Sequence, residues 1–264
     1  TLEGRKDNDA ALHWLGRKLA AWQVTTAYPV AMQVGRAGLA EDEQRALATL
    51  IYSYLVRRSV CGLTTKNLNK LFQSLSADFK KNGPSVAVFT EFFSDRDGDS
   101  SRFPDDDEFR QGVLIGNAYR ISPKPRLVDI LWELEVASRT KLSEHGERPD
   151  GLWVEHVLPQ SWGDEWPLPN GELSDPASTA QETISRNSKL HTLGNLTLLT
   201  GGLNISSGNK SFKKKKEKFK EHTGLFLNKW FQDRDQWTET EIEERGAALA
   251  NLAVTIWPSL PTDQ

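Results

Sequence analysis

The chain has 264 residues, which suits one large domain or two small ones. Hydrophobic residues make up 38% and charged residues 26%, an ordinary globular balance that excludes a wholly disordered chain. No apolar run approaches the roughly 18 residues of a membrane span, so we expect no membrane partner. The net charge of −3 and a pI near 6.0 do not mark a nucleic-acid binder. The single cysteine, Cys61, excludes an internal disulfide and favours a reducing, intracellular setting.

Segments of the first half have the apolar spacing of helices. Residues 42–60 carry apolar side chains at i, i+3, i+4, i+7 and i+8, which predicts one buried helix face formed by Leu47, Leu50, Ile51, Tyr54 and Leu55. We expect Arg57 and Arg58, near the end of this helix, to complement its dipole. Further helices are predicted between residues 64 and 84 and after Pro125, where apolar residues recur at helical spacing.

Charge is segregated along the chain although its sum is small. Residues 95–108 hold seven acidic and two basic residues, and we expect a solvated loop over residues 95–107. Residues 210–221 hold seven lysines and two glutamates. The early stretch around residues 10–22 is predicted to be helical.

The second half changes character after about residue 149, where short runs of β-forming residues appear. Residues 151–158 predict one strand and residues 193–200 a second, and the acidic, Pro- and Gly-rich residues between them predict a loop. Helices are predicted over residues 177–189, over the lysine-rich residues 206–221, and after the capping box that runs from Thr238 to Glu241.

Four polar residues of this half form a pattern that suits metal-assisted hydrolysis. Glu155 and His156 stand together at the predicted end of the first strand, with Pro159 three residues on, and Asn195 and Asn204 follow nine residues apart. A structural zinc site would need several Cys or His ligands, whereas the chain has one Cys and four scattered further His. A carboxylate and an amide oxygen are sufficient protein ligands for Mg²⁺.

These residues resemble an HNH, or ββα-metal, endonuclease motif: a strand that ends in Asp/Glu-His, a second strand with an Asn, and a helix with a metal-ligating Asn or His. The fuller pattern is Glu-His-Val-Leu-Pro-Gln, then Leu-Gly-Asn-Leu-Thr-Leu-Leu, then Leu-Asn-x-x-x-x-Asn-Lys-x-Phe. It is more closely similar to the C-terminal nuclease of GmrSD-type and SspE-like proteins of modification-dependent restriction and phage defence. The similarity runs from about residue 45 to residue 257, with its specific motifs in residues 153–212.

The resemblance implies a mainly α fold that includes a small ββα-metal (HNH) unit, with a helical scaffold beside a short two-stranded sheet. We therefore expect a helical scaffold or linker region over residues 1–149. Residues 150–264 would form the HNH-type nuclease domain with its C-terminal helix. Because an N-terminal nucleotide-hydrolysing domain precedes the nuclease in that family and no P-loop is present here, we expect the chain to be part of a longer protein.

The resemblance also implies a role for each residue of the motif. His156 would be the general base that takes a proton from the attacking water. Asn204 and Glu155 would hold one Mg²⁺ or Mn²⁺ ion. Asn195 would act indirectly, its amide pinning the loop between the strands so that His156 points at the phosphate. Asn209 would either support the residues that hold the metal ion or contact a phosphate.

The lysine-rich helix has two interpretations. By default it is a solvated helix face, and beside a nuclease motif it neutralises DNA phosphates next to the cut. The second interpretation makes Lys210, Lys213, Lys214 and Lys216 DNA contacts. His191 and His222 are interpreted as structural or solvent-exposed residues.

The predicted function is that of a metal-dependent DNA endonuclease, active in the bacterial cytoplasm, that nicks DNA and leaves 5′-phosphate and 3′-hydroxyl ends. Its predicted partners are double-stranded DNA and the N-terminal nucleotidase or sensor domain of the same protein. Two alternatives remain open: a catalytically inactive HNH-fold module that only binds DNA, and a partner-docking domain that uses the helical first half.

Overall fold

The computed structural model describes residues 10–140, 147–169, 175–200, 209–221 and 224–261, and within them it is mainly helical with one small sheet. The helices before the sheet are α1 (Ala10–Ala21), α2 (Tyr28–Arg36), α3 (Glu41–Val60), α4 (Leu68–Asn82), α5 (Val86–Ser94), α6 (Asp106–Ile115) and α7 (Lys124–Ala137). Strand β1 (Leu152–His156), helix α8 (Pro176–Lys189) and strand β2 (Leu196–Thr200) follow, and then α9 (Phe212–Glu221), α10 (Phe226–Lys229) and α11 (Glu239–Ile256). The predicted fold class is confirmed.

The chain divides into two compact units, Thr1–Phe109 with Trp257–Gln264, and Arg110–Ile256. The predicted boundary between residues 149 and 150 separates a scaffold from a nuclease domain. The division into compact units does not test that difference in function, so the boundary stays a prediction. None of the helices among the described residues is both long enough and apolar enough to cross a membrane.

In the first unit, α3 is the central helix, and it is buried on almost every side because α1, α2 and α5 pack against it. The five apolar residues of its predicted face are buried as expected. Arg57 and Arg58 lie in the last turn of α3, where we expected them to complement the helix dipole. Their side chains are in addition buried and hydrogen-bonded to loop carbonyls. The Arg57 guanidinium donates to the carbonyl oxygens of Pro104 (3.0 Å) and Trp257 (2.8 Å).

The acidic segment after α5 forms the predicted loop as far as residue 105, and most of its acidic side chains are exposed. Its backbone is nevertheless held against α3. Arg58 donates to the carbonyl oxygens of Asp99 (2.8 Å) and Arg102 (3.0 Å), so two buried arginines fasten this segment to α3. Asp106 already begins α6 and pairs with Arg57.

The second unit contains the sheet. Strands β1 and β2 pair antiparallel in a register that runs from Leu152 opposite Thr200 to His156 opposite Leu196. Helix α7 packs on both strands and α10 on β2. The buried core around them consists of Val157, Leu158, Trp166, Leu190, Leu199, Phe212, Phe219, Phe231, Trp237 and Ile242.

The second predicted strand begins later than its apolar run. Residues Leu193–Asn195 form a short 3₁₀ turn, and β2 starts at Leu196. Asn195 therefore precedes the strand rather than lying in it. The backbone of this turn lies directly against α11, and a Cβ at Gly194 would overlap the carbonyl oxygen of Ile242, so the turn requires a glycine there.

Candidate active site

His156 is the last residue of β1, and its ring is enclosed by two other rings. It is 8% exposed. Tyr119 stacks on it with ring centroids 4.8 Å apart and planes inclined by 26°. The His191 ring lies edge-on, and His156 Nε2 is 3.0 Å from His191 Nδ1. Tyr119 comes from a 3₁₀ turn, Ala118–Arg120, so residues from three separate segments meet at this ring.

Burial, together with the smaller effects of the neighbouring His191 and Lys215, lowers the pKa of His156 to about 4. Burial also lowers the pKa of His191. Both imidazoles are therefore neutral at pH 7, and His156 is in the form that accepts a proton.

The Asn195 amide fastens the chain that follows His156. It is fully buried, and all four of its hydrogen-bonding positions are used. Its Oδ1 accepts from the Leu158 backbone N–H (2.8 Å) and from Trp237 Nε1 (3.0 Å), and its Nδ2 donates to the carbonyl oxygens of Leu158 and Leu190 (2.9 Å each). One side chain thus joins the segment after His156 to the segment before His191.

Helix α11 holds the turn that carries Asn195. Arg245, 1% exposed, donates through Nη1 to the carbonyl oxygens of Gly194 (2.8 Å) and Leu196 (2.7 Å). Burial lowers the pKa of Arg245 to about 9. The site therefore depends on a helix more than forty residues downstream of Asn195.

Glu155 is turned toward α9. Its Oε1 accepts from Lys215 Nζ at 2.8 Å, and the same ammonium donates to the carbonyl oxygen of His156 at 2.6 Å. Lys215 is 1% exposed. Burial lowers its pKa, and the Glu155 carboxylate opposes that shift.

A carboxylate oxygen is a suitable ligand for a hard divalent cation, so Glu155 fits the expected ion in its donor chemistry. The other expected ligand, Asn204, lies outside the described residues. Within the part of the chain that the structure describes, no group of three His, Cys, Asp or Glu side chains is placed to hold a metal ion. The metal site remains a prediction that rests on two oxygen ligands, one of which contacts a lysine.

The predicted DNA contacts are placed unequally. Asn209, Lys210, Lys213 and Lys214 are exposed, Lys214 with Glu165 3.7 Å away. Lys216 is half-buried and donates to the carbonyl oxygen of Arg234 (2.6 Å). It therefore has a structural partner within the unit, while the other four face solvent.

The sequence pattern does not indicate Tyr119 or Lys215 as site residues and does not connect His191 with His156. The position of Lys215 has a sequence signal, because it lies three residues after Phe212 and four before Phe219, both buried on the same helix face. Tyr119 has no such signal, because it lies 37 residues before His156 and meets it only in the folded chain. His222 lies outside the described residues.

Residues 103–252 match the family model described as GmrSD restriction endonucleases, C-terminal domain. The match spans more than half of the chain, and the site around His156 lies entirely within it. The chain belongs to this family of restriction endonuclease domains. A search of curated proteins finds no match.

Proposed function

We propose that this protein is a metal-dependent DNA endonuclease of the HNH type, in which His156 is the general base and the product is a nick. The family, whose members are restriction endonucleases, supports nuclease activity. The main structural support is the way His156 is held: it ends β1, and the Asn195 amide cross-links the chain immediately after it. The order of the antiparallel strands and the following helix α9 agrees with a ββα unit.

The proposed reaction begins with the neutral His156 ring. It takes a proton from a water molecule while the water oxygen attacks the scissile phosphorus. The bond from phosphorus to the 3′ oxygen breaks, and that oxygen is protonated from solvent, which leaves 5′-phosphate and 3′-hydroxyl ends. One such site cuts one strand, so a monomer produces a nick.

Glu155 and Asn204 would hold Mg²⁺ or Mn²⁺, and the bound ion would supply charge neutralisation at the scissile phosphate. An ion held there would share the Glu155 carboxylate with Lys215, whose ammonium lies 2.8 Å from Glu155 Oε1. The residues around His156 orient the base whether or not the ion is bound.

Double-stranded DNA is the proposed substrate, and the exposed lysines beside the site are its proposed contacts. Lys213 and Lys214 lie on the same helix as Lys215, whose ammonium reaches the backbone of His156. This places solvent-facing positive charge on the element that touches the reactive strand. Contacts of this kind go to phosphates and give binding that weakens as salt rises.

We also propose a wider setting, which the family supports. We propose that residues 1–149 form a helical scaffold for a nuclease domain over residues 150–264. A nucleotide-hydrolysing or sensor domain of the same protein would regulate the cut, and the system would operate in the bacterial cytoplasm.

The test is relaxation of supercoiled plasmid by the purified chain in Mg²⁺, in Mn²⁺ or in EDTA. We expect open-circle product with either metal and none in EDTA. If the chain retards DNA on a gel but leaves it intact with both metals, the nuclease proposal fails and a DNA-binding module is favoured. If it neither binds nor cuts, a partner-docking domain is favoured.

A further inference from the structure

We propose that His191 is a positioning residue that fixes the proton of His156 on Nε2 and so leaves Nδ1 as the nitrogen that takes a proton from water. This inference rests on the proposed function, because it concerns how the same general base works. It gives a role in catalysis to a residue that the sequence pattern left as structural.

Among the described residues, the contact between the two rings is the closest polar contact of the His156 side chain. His156 Nε2 and His191 Nδ1 are 3.0 Å apart, a normal hydrogen-bond length. Tyr119 Oη lies 3.5 Å from His156 Nδ1, and the Gln160 amide nitrogen lies 3.4 Å from Nδ1 and 3.5 Å from Nε2. Within the part of the chain that the structure describes, Nε2 thus has a close partner, while the contacts of Nδ1 are long enough for a water to replace them.

The direction of the proton follows from what each neighbour can do. The Gln160 amide nitrogen lies almost equally far from the two ring nitrogens and does not distinguish them, whereas the Tyr119 hydroxyl contacts Nδ1 and can donate to it when it is unprotonated. With Nδ1 unprotonated, the single ring proton of neutral His156 is on Nε2 and is donated to His191 Nδ1. The opposite arrangement would put a proton on Nδ1, and His156 could not then act as a base through that atom.

The backbone holds His191 in place for this contact. The Ala118 N–H, beside Tyr119, donates to the carbonyl oxygen of His191 at 2.9 Å. The Asn195 amide donates to the carbonyl oxygen of Leu190, the preceding residue, at 2.9 Å. The segment that carries His191 is therefore fixed on both sides, by the turn that bears Tyr119 and by the amide that also secures the chain after His156.

His191 also keeps the ring oriented during the reaction. The Nε2–H bond is present before and after Nδ1 takes a proton, so the same ring orientation is held throughout the transfer. Loss of the acceptor should lower the rate of the chemical step and leave substrate binding almost unchanged.

The test compares two substitutions at His191. His191→Asn keeps an acceptor oxygen near the place of Nδ1, and His191→Phe keeps a planar ring of similar size without an acceptor. We expect His191→Phe to lower kcat by about 10- to 100-fold with KM within about twofold, as for other supporting partners of site residues. His191→Asn should restore kcat to within several-fold of wild type. Equal kcat values for wild type and His191→Phe would overturn the proposal, and so would a loss confined to KM.

A second measurement does not depend on cleavage. The ¹⁵N NMR shifts of labelled wild-type protein distinguish a protonated from an unprotonated ring nitrogen. We expect Nε2 of His156 to be protonated and Nδ1 to be unprotonated at pH 7. A proton on Nδ1 would refute the inference even if the protein nicks DNA. If the expected tautomer is found but no cleavage occurs with any metal, the proposed function fails while the arrangement of the rings stands.

Discussion

Removal of the Asn195 amide should weaken the second unit more than removal of the buried Asn228 amide in the same unit. Asn195→Ala deletes four hydrogen bonds and leaves Leu158 N–H, Trp237 Nε1 and two carbonyl oxygens buried without that partner. A buried hydrogen bond contributes about 1 kcal/mol net, so four amount to about 4 kcal/mol in the free energy of unfolding. Because two of the four join the backbone after His156, the rate of cleavage per folded molecule should fall as well.

Asn228 provides a matched control in the same unit. It is also fully buried, and its amide accepts from Thr197 Oγ1 (2.6 Å) and donates to the Leu198 carbonyl oxygen (3.1 Å). We expect Asn228→Ala to cost about 2 kcal/mol and to leave the cleavage rate per folded molecule unchanged. Urea unfolding followed by circular dichroism gives the stabilities, and plasmid nicking at low temperature gives the rates. Equal costs for the two variants, or an unchanged rate in Asn195→Ala, would refute the reasoning.

Three further predictions concern the buried charge, the tight turn and the pH dependence of stability. Lys215→Met removes the ammonium that pairs with the nearly buried Glu155 carboxylate and should lower the free energy of unfolding by about 3 kcal/mol. The same substitution at the exposed Lys213 should cost almost nothing. Equal urea midpoints for the two variants would contradict the burial of Lys215. Gly194→Ala places a methyl group against the α11 backbone and should lower the free energy of unfolding by about 3 kcal/mol. Gly163→Ala has open space at its Cβ and should be nearly neutral. A Gly194→Ala protein as stable as wild type would argue against the close approach of this turn to α11. The pKa of His156 in the folded chain, about 4, lies below its ordinary value of 6.5, so its contribution to stability is complete above pH 6.5 and is lost as pH falls toward 4. Between those limits wild type should lose about 3 kcal/mol more than His156→Gln, and parallel pH profiles would show that the ring is not buried in its neutral form.

Local sequence patterns predicted most of the helices and both strands. The spacing of apolar residues located α3, α4 and α7, and the capping box located α11, where the Glu241 carboxylate accepts from the Thr238 N–H at 2.7 Å. Helix α5 has large apolar residues on several sides and was not predicted. The burial of Arg57 could not be predicted either, because its partners Pro104 and Trp257 are distant in sequence and only the folded chain brings their carbonyl oxygens together.

The candidate site was predictable where the chain itself sets the spacing and unpredictable where loops bring partners together. The short run of β-forming residues predicts His156 at a strand end. The turn before the second strand carries Asn195, whose amide can form hydrogen bonds with the backbone on both sides. The Tyr119 and His191 contacts depend on two turns joined by one backbone hydrogen bond, which no local pattern specifies. Lys215 was hidden among six other lysines, and only its helical phase relative to buried aromatic residues separates it from them.

The most direct test of the central claim is the single-turnover rate of plasmid nicking in Mg²⁺ for wild type, His156→Ala and His13→Ala. His13 lies on α1 in the other unit and serves as a matched control for the loss of an imidazole. We expect His156→Ala to nick at least about 100-fold more slowly than wild type, the usual contribution of a general base, and His13→Ala to be unchanged. A folded His156→Ala protein that nicks at the wild-type rate would contradict the assignment of His156 as the base.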